Sequence, residues 1–272
     1  MTATYEIYAL RYAESGPRDA RENFLQADPA LDPHESATPI DYFVWLVRGN
    51  GRTILVDTGF NEAAAAARKR IFLIHPAEAL ARFGVAPDSV EDVIITHLHY
   101  DHAGNLDRFP NARFHIQDRE MAYATGRYMG HRALRTPFAI DDVTLMVRHV
   151  YAERAVFHDG DGRVAPGVEV FRVGGHSDGL QVVRVSTARG PVVLASDATH
   201  LYANMGRGNP FPIVFNVGDM LEGWRRLEQL AGSRERVVPG HDPLVKEVYP
   251  RAKAEVEAWA LHVEPLRSPW PA

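Results

Sequence analysis

The stretch Thr96-His97-Leu98-His99-Tyr100-Asp101-His102 packs three imidazoles and one carboxylate into six consecutive positions. It constrains the chain more than any other feature. The residues before it, Val93 to Thr96, are a short run rich in β-branched side chains that stops at His97, so the cluster is expected on a turn at the C-terminal end of a strand. His97, His99 and Asp101 alternate and can project in related directions from an extended backbone, while His102 turns to the other side. Such a set can serve two adjacent metal ions. A cationic surface cluster at this spacing has little structural use, whereas neutral imidazole and carboxylate are ordinary ligands.

The remaining donors must also be nitrogen or oxygen. The chain has no cysteine, which excludes disulfides, thiolate metal sites and cysteine nucleophiles together. Imidazole and carboxylate suit Zn²⁺, Fe, Mn²⁺ or Co²⁺, with geometry rather than ligand softness selecting among them. Three later segments offer such donors: Gly174-Gly175-His176-Ser177-Asp178-Gly179, Ala195-Ser196-Asp197-Ala198 and Pro239-Gly240-His241-Asp242. Each follows a β-like run. A glycine ahead of a ligand lets the backbone turn sharply and approach closely. Taken singly, each is equally readable as a turn histidine or a helix-capping aspartate.

Around these sites the texture is mixed α/β. Tyr42 to Arg48 and Thr53 to Asp57 are predicted strands of a hairpin turned by Gly49-Asn50-Gly51. Asn61 to Arg70 and Pro76 to Phe83 are predicted helices, the second closed by Gly84. Further strands are predicted at Val168 to Val173, Gln181 to Ser186, Val192 to Ala195 and Arg236 to Val238. Met220, Leu221, Trp224, Leu227 and Leu230 recur at helical spacing, and Ala252, Val256, Trp259 and Val263 do so less cleanly. Arg119 to Val150 reads as mainly helical. His200 to Asp219, rich in Gly, Pro, Asn and aromatics, reads as an irregular binding loop. Two similar halves of interspersed strands and helices suggest two packed sheets with helices outside. No linker or repeat divides the chain, so residues 1–272 are expected to form one domain.

Composition narrows the partners. With 46% hydrophobic and 24% charged residues the chain is an ordinary folded protein rather than a disordered one. A net charge of −5 with scattered Lys and Arg gives no footprint for nucleic acid. Met1 to Leu10 lacks the basic start and continuous apolar run of a signal peptide, and no run is long enough to span a membrane. A cytoplasmic protein acting on a small molecule is the resulting expectation, with monomer and homodimer both open.

The order of these motifs resembles the metallo-β-lactamase superfamily, in which H-x-H-x-D-H is followed by a His, an Asp and a His on successive strand-end loops. The resemblance runs from Leu55-Val56-Asp57-Thr58-Gly59 to Gly240-His241. It implies an αβ/βα sandwich of two mixed sheets with helices outside and the site along one edge. It also implies two divalent ions, with zinc first and Fe, Mn or Co as alternatives. By resemblance His97, His99 and His176 hold one metal, Asp101, His102 and His241 the second, and Asp197 bridges them; Asp57 supports the loop without ligating.

Within the superfamily, Thr-His-Leu-His-Tyr-Asp-His-Ala-Gly is most similar to the N-acyl-homoserine lactonases, which open the lactone of bacterial quorum signals. That resemblance implies a hydrolase attacking a lactone carbonyl with metal-bound hydroxide, with Asp101 or a nearby donor handling the proton. A glyoxalase II-like thioesterase, or a hydrolase of other esters or cyclic amides, is the alternative; a cationic patch for glutathione is not evident in the sequence. A metal-binding protein without activity is a third reading, disfavoured by the intact donor set. One departure stands out. Where those lactonases commonly carry a Tyr three residues after the bridging Asp, this chain has His200, with Tyr202 two further on, so either is a candidate proton donor. Met205, Phe211, Pro212, Ile213, Val214 and Phe215 supply an apolar stretch suited to an acyl or aromatic group. Tyr100, Tyr128, His131 and Phe138 are weaker candidates for the pocket. His34, His75, His115, His149, His158 and His262 lack ligand spacing and are expected to be structural or exposed.

Overall fold

The computed structural model describes residues 3–26 and 38–270. His34 lies outside them. Alternation along the first hairpin explains the layering. In β2 (Asp41–Gly49), Phe43, Trp45 and Val47 face one core while Tyr42, Val44 and Leu46 face another, as the two-residue period of a strand requires. A strand apolar on both faces must be covered on both. One face meets a second sheet, and the other meets helices.

Among the described residues, nine strands form the first sheet. Its order is β13 (Arg251–Lys253), β14 (Ala258–Ala260), β1 (Glu6–Ser15), β2, β3 (Arg52–Val56), β5 (Asp92–Ile94), β6 (Arg113–Gln117) and β7 (Ala155–His158), with β4 (Arg70–Phe72) also pairing with β1. The second sheet runs β12 (Val237–Pro239), β11 (Gly190–Ser196), β10 (Gln181–Thr187), β9 (Val168–Arg172) and β8 (Gly162–Ala165). Both sheets mix parallel and antiparallel pairs, and Val168, Val170, Val182, Val183, Val185, Val192 and Val193 share a core with the inward side chains of β2. This is the two-sheet sandwich with helices expected from the sequence.

The hairpin and the helix Pro76–Phe83 form as predicted, the latter started by His75 and Pro76 and stopped at Gly84 in the left-handed region. The Ala-rich helix is shorter than expected. Asn61 caps it by accepting from Ala64 N, but it ends at Ala67, and Arg70 already belongs to β4, drawn off by pairing with β1. The stripe Met220 to Leu230 lies in the helix Val217–Ala231, which packs on β11. Arg119 to Val150 is mainly helical, including Asp118–Ala124 and Ile140–Tyr151. Two expectations fail. Residues 252–263 are not a helix: they hold β13 and β14, because β1 offers an open ladder that pairs Tyr8 with Ala260 and Leu10 with Ala258. The segment His200 to Asp219 is not wholly irregular, since Tyr202–Arg207 is helical and Asn216 caps the following helix.

The topology brings the candidate ligands to one edge. β3 and β5 are parallel neighbours, so Asp57 and the His97 loop leave the first sheet side by side, tied by Asp57 N to Ile94 O at 2.8 Å. β11 and β12 are likewise parallel, so Asp197 and His241 leave the second sheet together. The β9–β10 connection carries His176 at that same end, because β10 runs antiparallel to β11. Gln181 joins the sheets there, its N–H donating to Thr96 O and its Nε2 to Ile95 O and His115 O.

Candidate metal centre

The run after β5 is not a simple turn. His99 is extended, and Tyr100–Ala103 forms one helical turn with His99 at its N-cap, which swings Asp101 and His102 into the site. Asp57 sets this loop. Buried, with φ of 61°, it accepts from Thr96 N at 2.7 Å and Thr96 Oγ1 at 2.8 Å, and lies 2.7 Å from His102 Nδ1. Thr96 Oγ1 also reaches Ser196 Oγ at 2.9 Å, so the two ligand-bearing loops share a polar seam.

Glycines act where expected. A Cβ on Gly175 would sit 2.7 Å from Met220 Cα, and one on Gly240 would sit 2.7 Å from Ser196 O and 3.0 Å from Asp197 Oδ1. Both positions therefore need a residue without a side chain for the following histidine to reach the centre.

The seven expected ligands converge. Asp197 lies at the middle with its oxygens divided: Oδ2 faces His176 Nε2 at 3.1 Å and His97 Nε2 at 3.8 Å, while Oδ1 faces His102 Nε2 at 3.2 Å and His241 Nε2 at 3.0 Å. His99 joins the first group, its Nδ1 2.9 Å from His176 Nε2. Asp101 joins the second, with Oδ1 3.9 Å from His102 Nε2 and Oδ2 4.0 Å from His241 Nε2. Ligand atoms of His97, His99 and His176 lie within 4.8 Å of one another, as do those of Asp101, His102 and His241. Donors around a tetrahedral Zn²⁺ stand roughly 3.3 Å apart, given metal–ligand bonds of about 2.0–2.1 Å.

The opposite ring nitrogens are anchored. His176 Nδ1 lies 2.6 Å from Ile213 O, His241 Nδ1 2.9 Å from Asp41 O and His102 Nδ1 2.7 Å from Asp57 Oδ2. An acceptor at Nδ1 selects the tautomer that aims the Nε2 lone pair at the centre. The Nε2 atoms of His97 and His102 are buried and make no hydrogen bond. A buried polar atom without a partner is costly, and a cation coordinated there removes the cost. The donor set thus fits two divalent ions.

Electrostatics agree. Burial, with His102 and His99 alongside, holds His97 well below the ordinary imidazole value, and burial with His176 does the same to His99. Burial also pushes His102 down, but Asp197, Asp57 and Asp101 outweigh it and hold that imidazole well above its usual value. For Asp197, burial pushes upward and the surrounding His200, His241, His102 and His176 win, keeping the carboxylate ionised. Neutral His97 and His99 beside an ionised Asp197 are the protonation states a divalent ion requires, whereas His102 and His241, both raised by the neighbouring carboxylates, give up a proton when a cation takes that place.

His200 and Tyr202, both proton-donor candidates, separate. His200 Nε2 lies 3.0 Å from Asp197 Oδ2, and its ring is stacked on Phe211 at 3.6 Å between centroids with planes 2° apart. Tyr202 turns into the core edge-on to Trp270 and lines a different cleft, with Phe24 and Trp270. It stands on the first turn of a helix whose buried side faces the second sheet's core, which directs its ring away from the metals.

A cavity of about 400 Å³ opens over the centre. Tyr42, Tyr100, Phe211, Pro212 and Ile213 line it together with His99, Asp101, His176, Asp197, His200 and His241. Met205 and Val214 pack into the core instead, and Phe215 packs tilted on Tyr123 and edge-on to Tyr128. Phe138 backs His99 edge-on at 4.6 Å, and neither it, Tyr128 nor His131 lines the cavity. Among the other histidines, His75 caps a helix, His115 lies 3.0 Å from Asp92 and 3.1 Å from His158, His149 packs on Phe114 and His262 accepts from Ile7 N.

Two features escaped the sequence. Glu120, fully buried, accepts from Leu98 N at 2.9 Å, Ser177 Oγ at 2.7 Å and Gly179 N at 3.1 Å, joining the loop of His97 to that of His176. Its signal was a lone carboxylate on the buried helical face shared with Tyr123 and Ala124. The second feature is a set of four arginines on the cavity, Arg18, Arg21, Arg68 and Arg70, a cationic lining that was not evident in the sequence.

The family model for the metallo-β-lactamase superfamily matches residues 37–241. The chain belongs to that superfamily. With the donor set in place it is a metal-dependent hydrolase. Among curated relatives, the N-acyl homoserine lactonase AiiB of Agrobacterium fabrum is 28% identical over 211 residues, covering 68% of this chain and 75% of its own. The human metallo-beta-lactamase domain-containing protein 1 is 29% identical over 220 residues, covering 75% of this chain and 63% of that protein. A crystal structure of a quorum-quenching N-acyl homoserine lactone lactonase superposes with a TM-score of 0.72 at 25% identity, over 89% of this chain and 94% of that one. No helix among the described residues is long and apolar enough to cross a membrane.

Proposed function

We propose that this hydrolase opens a lactone ring, with two divalent ions, zinc first, held by His97, His99 and His176 on one side and by Asp101, His102 and His241 on the other. The observation that carries the reading is the division of Asp197, one oxygen toward each histidine group. The lactonase relatives supply the bond class. When bound, such a pair of ions supplies Lewis acidity at the carbonyl and a water acidic enough to ionise near neutral pH.

The chain's own groups do the rest. Asp197 holds the two halves of the centre in register. Asp101, partly buried at 12% side-chain exposure, faces the cavity and takes the water proton, then returns it to the departing ring oxygen. His200, fixed between Asp197 and Phe211, takes the position that the Tyr holds in many lactonases and orients the carbonyl. Phe211, Pro212 and Ile213 exclude water from the body of the substrate.

The test is hydrolysis of an acyl-homoserine lactone series and simple γ-lactones by metal-loaded protein, followed by proton release, with a chelated control. Chelator-sensitive ring opening is expected. Two bound metals with no opening of any lactone overturns the lactone assignment and directs the search to thioesters, aromatic esters and cyclic amides.

A further inference from the structure

The four cavity arginines come from two separate segments, residues 18–21 and 68–70, yet gather on one wall. Arg68 donates to Thr136 O at 3.2 and 3.1 Å and to Phe138 O at 3.3 Å, and its guanidinium lies 3.8 Å over the Tyr100 ring. Arg70 reaches the same residue from the hydroxyl end, its Nε donating to Tyr100 Oη at 3.2 Å. Arg18 is held by Asn23 Oδ1 at 2.7 Å, 5.3 Å over the Phe211 ring. Tyr100 directly precedes Asp101, so this wall adjoins the metal centre. The terminal nitrogens of Arg70 have no protein acceptor among the described residues, and none of the four arginines forms an ion pair with a carboxylate there.

Charge on this wall runs against the chain's net −5. Among the described residues the acidic side chains on the cavity are Glu22, Asp101 and Asp197, and the last two belong to the proposed metal centre. A neutral acyl chain laid here would strip water from guanidiniums and return no acceptor, at a cost. An oxyanion matches their planar fork of donors.

We infer that the substrate carries an oxyanion, a carboxylate or phosphate, in addition to the bond that is cut, and that Arg18, Arg21, Arg68 and Arg70 receive it. The inference rests on the proposed lactone chemistry only for the identity of that bond. The wall makes this enzyme select an anionic lactone over a neutral one.

The test compares γ-butyrolactone with its analogue bearing a carboxylate on the ring carbon beside the ring oxygen. The charged lactone is expected to have a kcat/KM higher by at least about tenfold, arising in KM. That ratio should fall toward unity in Arg70→Gln and Arg68→Gln, recover only partly in Arg70→Lys, and shrink when salt is raised from about 50 to about 500 mM. Equal rates on the two lactones in the unaltered protein, with a ratio unmoved by either Gln substitution, overturn the inference.

Calorimetry on folded, metal-free protein with the charged lactone separates this result from the lactone reading. Binding that Arg70→Gln weakens, with neither lactone opened, sustains the arginine wall while the lactone reading falls. No binding together with no preference removes the wall and leaves ring opening to its own assay. Competition by inorganic phosphate stronger than by acetate assigns the oxyanion as phosphate, and the reverse order as carboxylate.

Discussion

The floor and the wall of the cavity are built on different principles. The floor is a set of histidines and aspartates at the ends of buried strands, three of them backed by a second group: Asp57 behind His102, Ile213 O behind His176, Asp41 O behind His241. The wall is made of arginines and aromatics on short helices, connecting segments and, for Arg70, the short strand β4, held by carbonyl oxygens and ring faces. The floor therefore holds its geometry through the sheets, whereas the wall can change its side chains without disturbing the ladders. A hydrolytic centre can stay constant in this way while the substrate it accepts changes.

The largest test of that contrast removes the floor's centre. Asp197→Ala should cost both metal content, measured by elemental analysis, and activity, by about a thousandfold or more in kcat/KM. Retention of two metals with full activity would show that Asp197 bridges nothing. By contrast, the arginine substitutions should leave metal content unchanged and alter only the choice of substrate.

Next comes the support beneath the floor. Glu120→Ala leaves the donors of Leu98, Ser177 and Gly179 without their buried acceptor, at a cost of about 1–3 kcal/mol in folding and roughly 10–100-fold in metal affinity. Thermal unfolding and competition with a chromophoric chelator read the two effects. Metal affinity equal to that of the unaltered protein would confine Glu120 to folding.

The smallest effect lies behind the wall. Burial, followed by the neighbouring Asp141, pushes the Asp142 carboxyl up to about 7 against the opposing charge of Arg68. A carboxyl raised in the folded state contributes stability that is fully present below its unfolded value near 3.8 and is lost as pH rises through about 7. Asp142→Asn should therefore gain stability relative to the unaltered protein above pH 7, by roughly 2 °C in Tm, and show no gain below about pH 4. A gain constant across that range would mean that the carboxyl's ionisation is not the cause.

The floor is legible in the sequence, since donor-rich strand-end motifs carry their chemistry in residue type and spacing. His97 to His102 stand out on their own, and His176, Asp197 and His241 through their order after that cluster. The β-hairpin and the helices Pro76–Phe83 and Val217–Ala231 are legible too, because local periodicity and capping state them outright. The C-terminal segment misleads for the same reason: Ala252, Val256 and Trp259 mimic a helical period, and the ladder of β1 overrides it.

What the sequence by itself determined is the donor set, its order along the chain and the alternation that demands two covered sheets. Tertiary structure decided the rest: that Asp197 divides its oxygens between two histidine groups, that His200 enters the cavity while Tyr202 does not, and that arginines from two separate segments share one wall. The physical reason is distance along the chain. Ligand type and local period are written within a few residues, but the direction of a side chain at a helix start and the meeting of charges some fifty residues apart depend on how strands pair, and pairing is settled only by the packed whole.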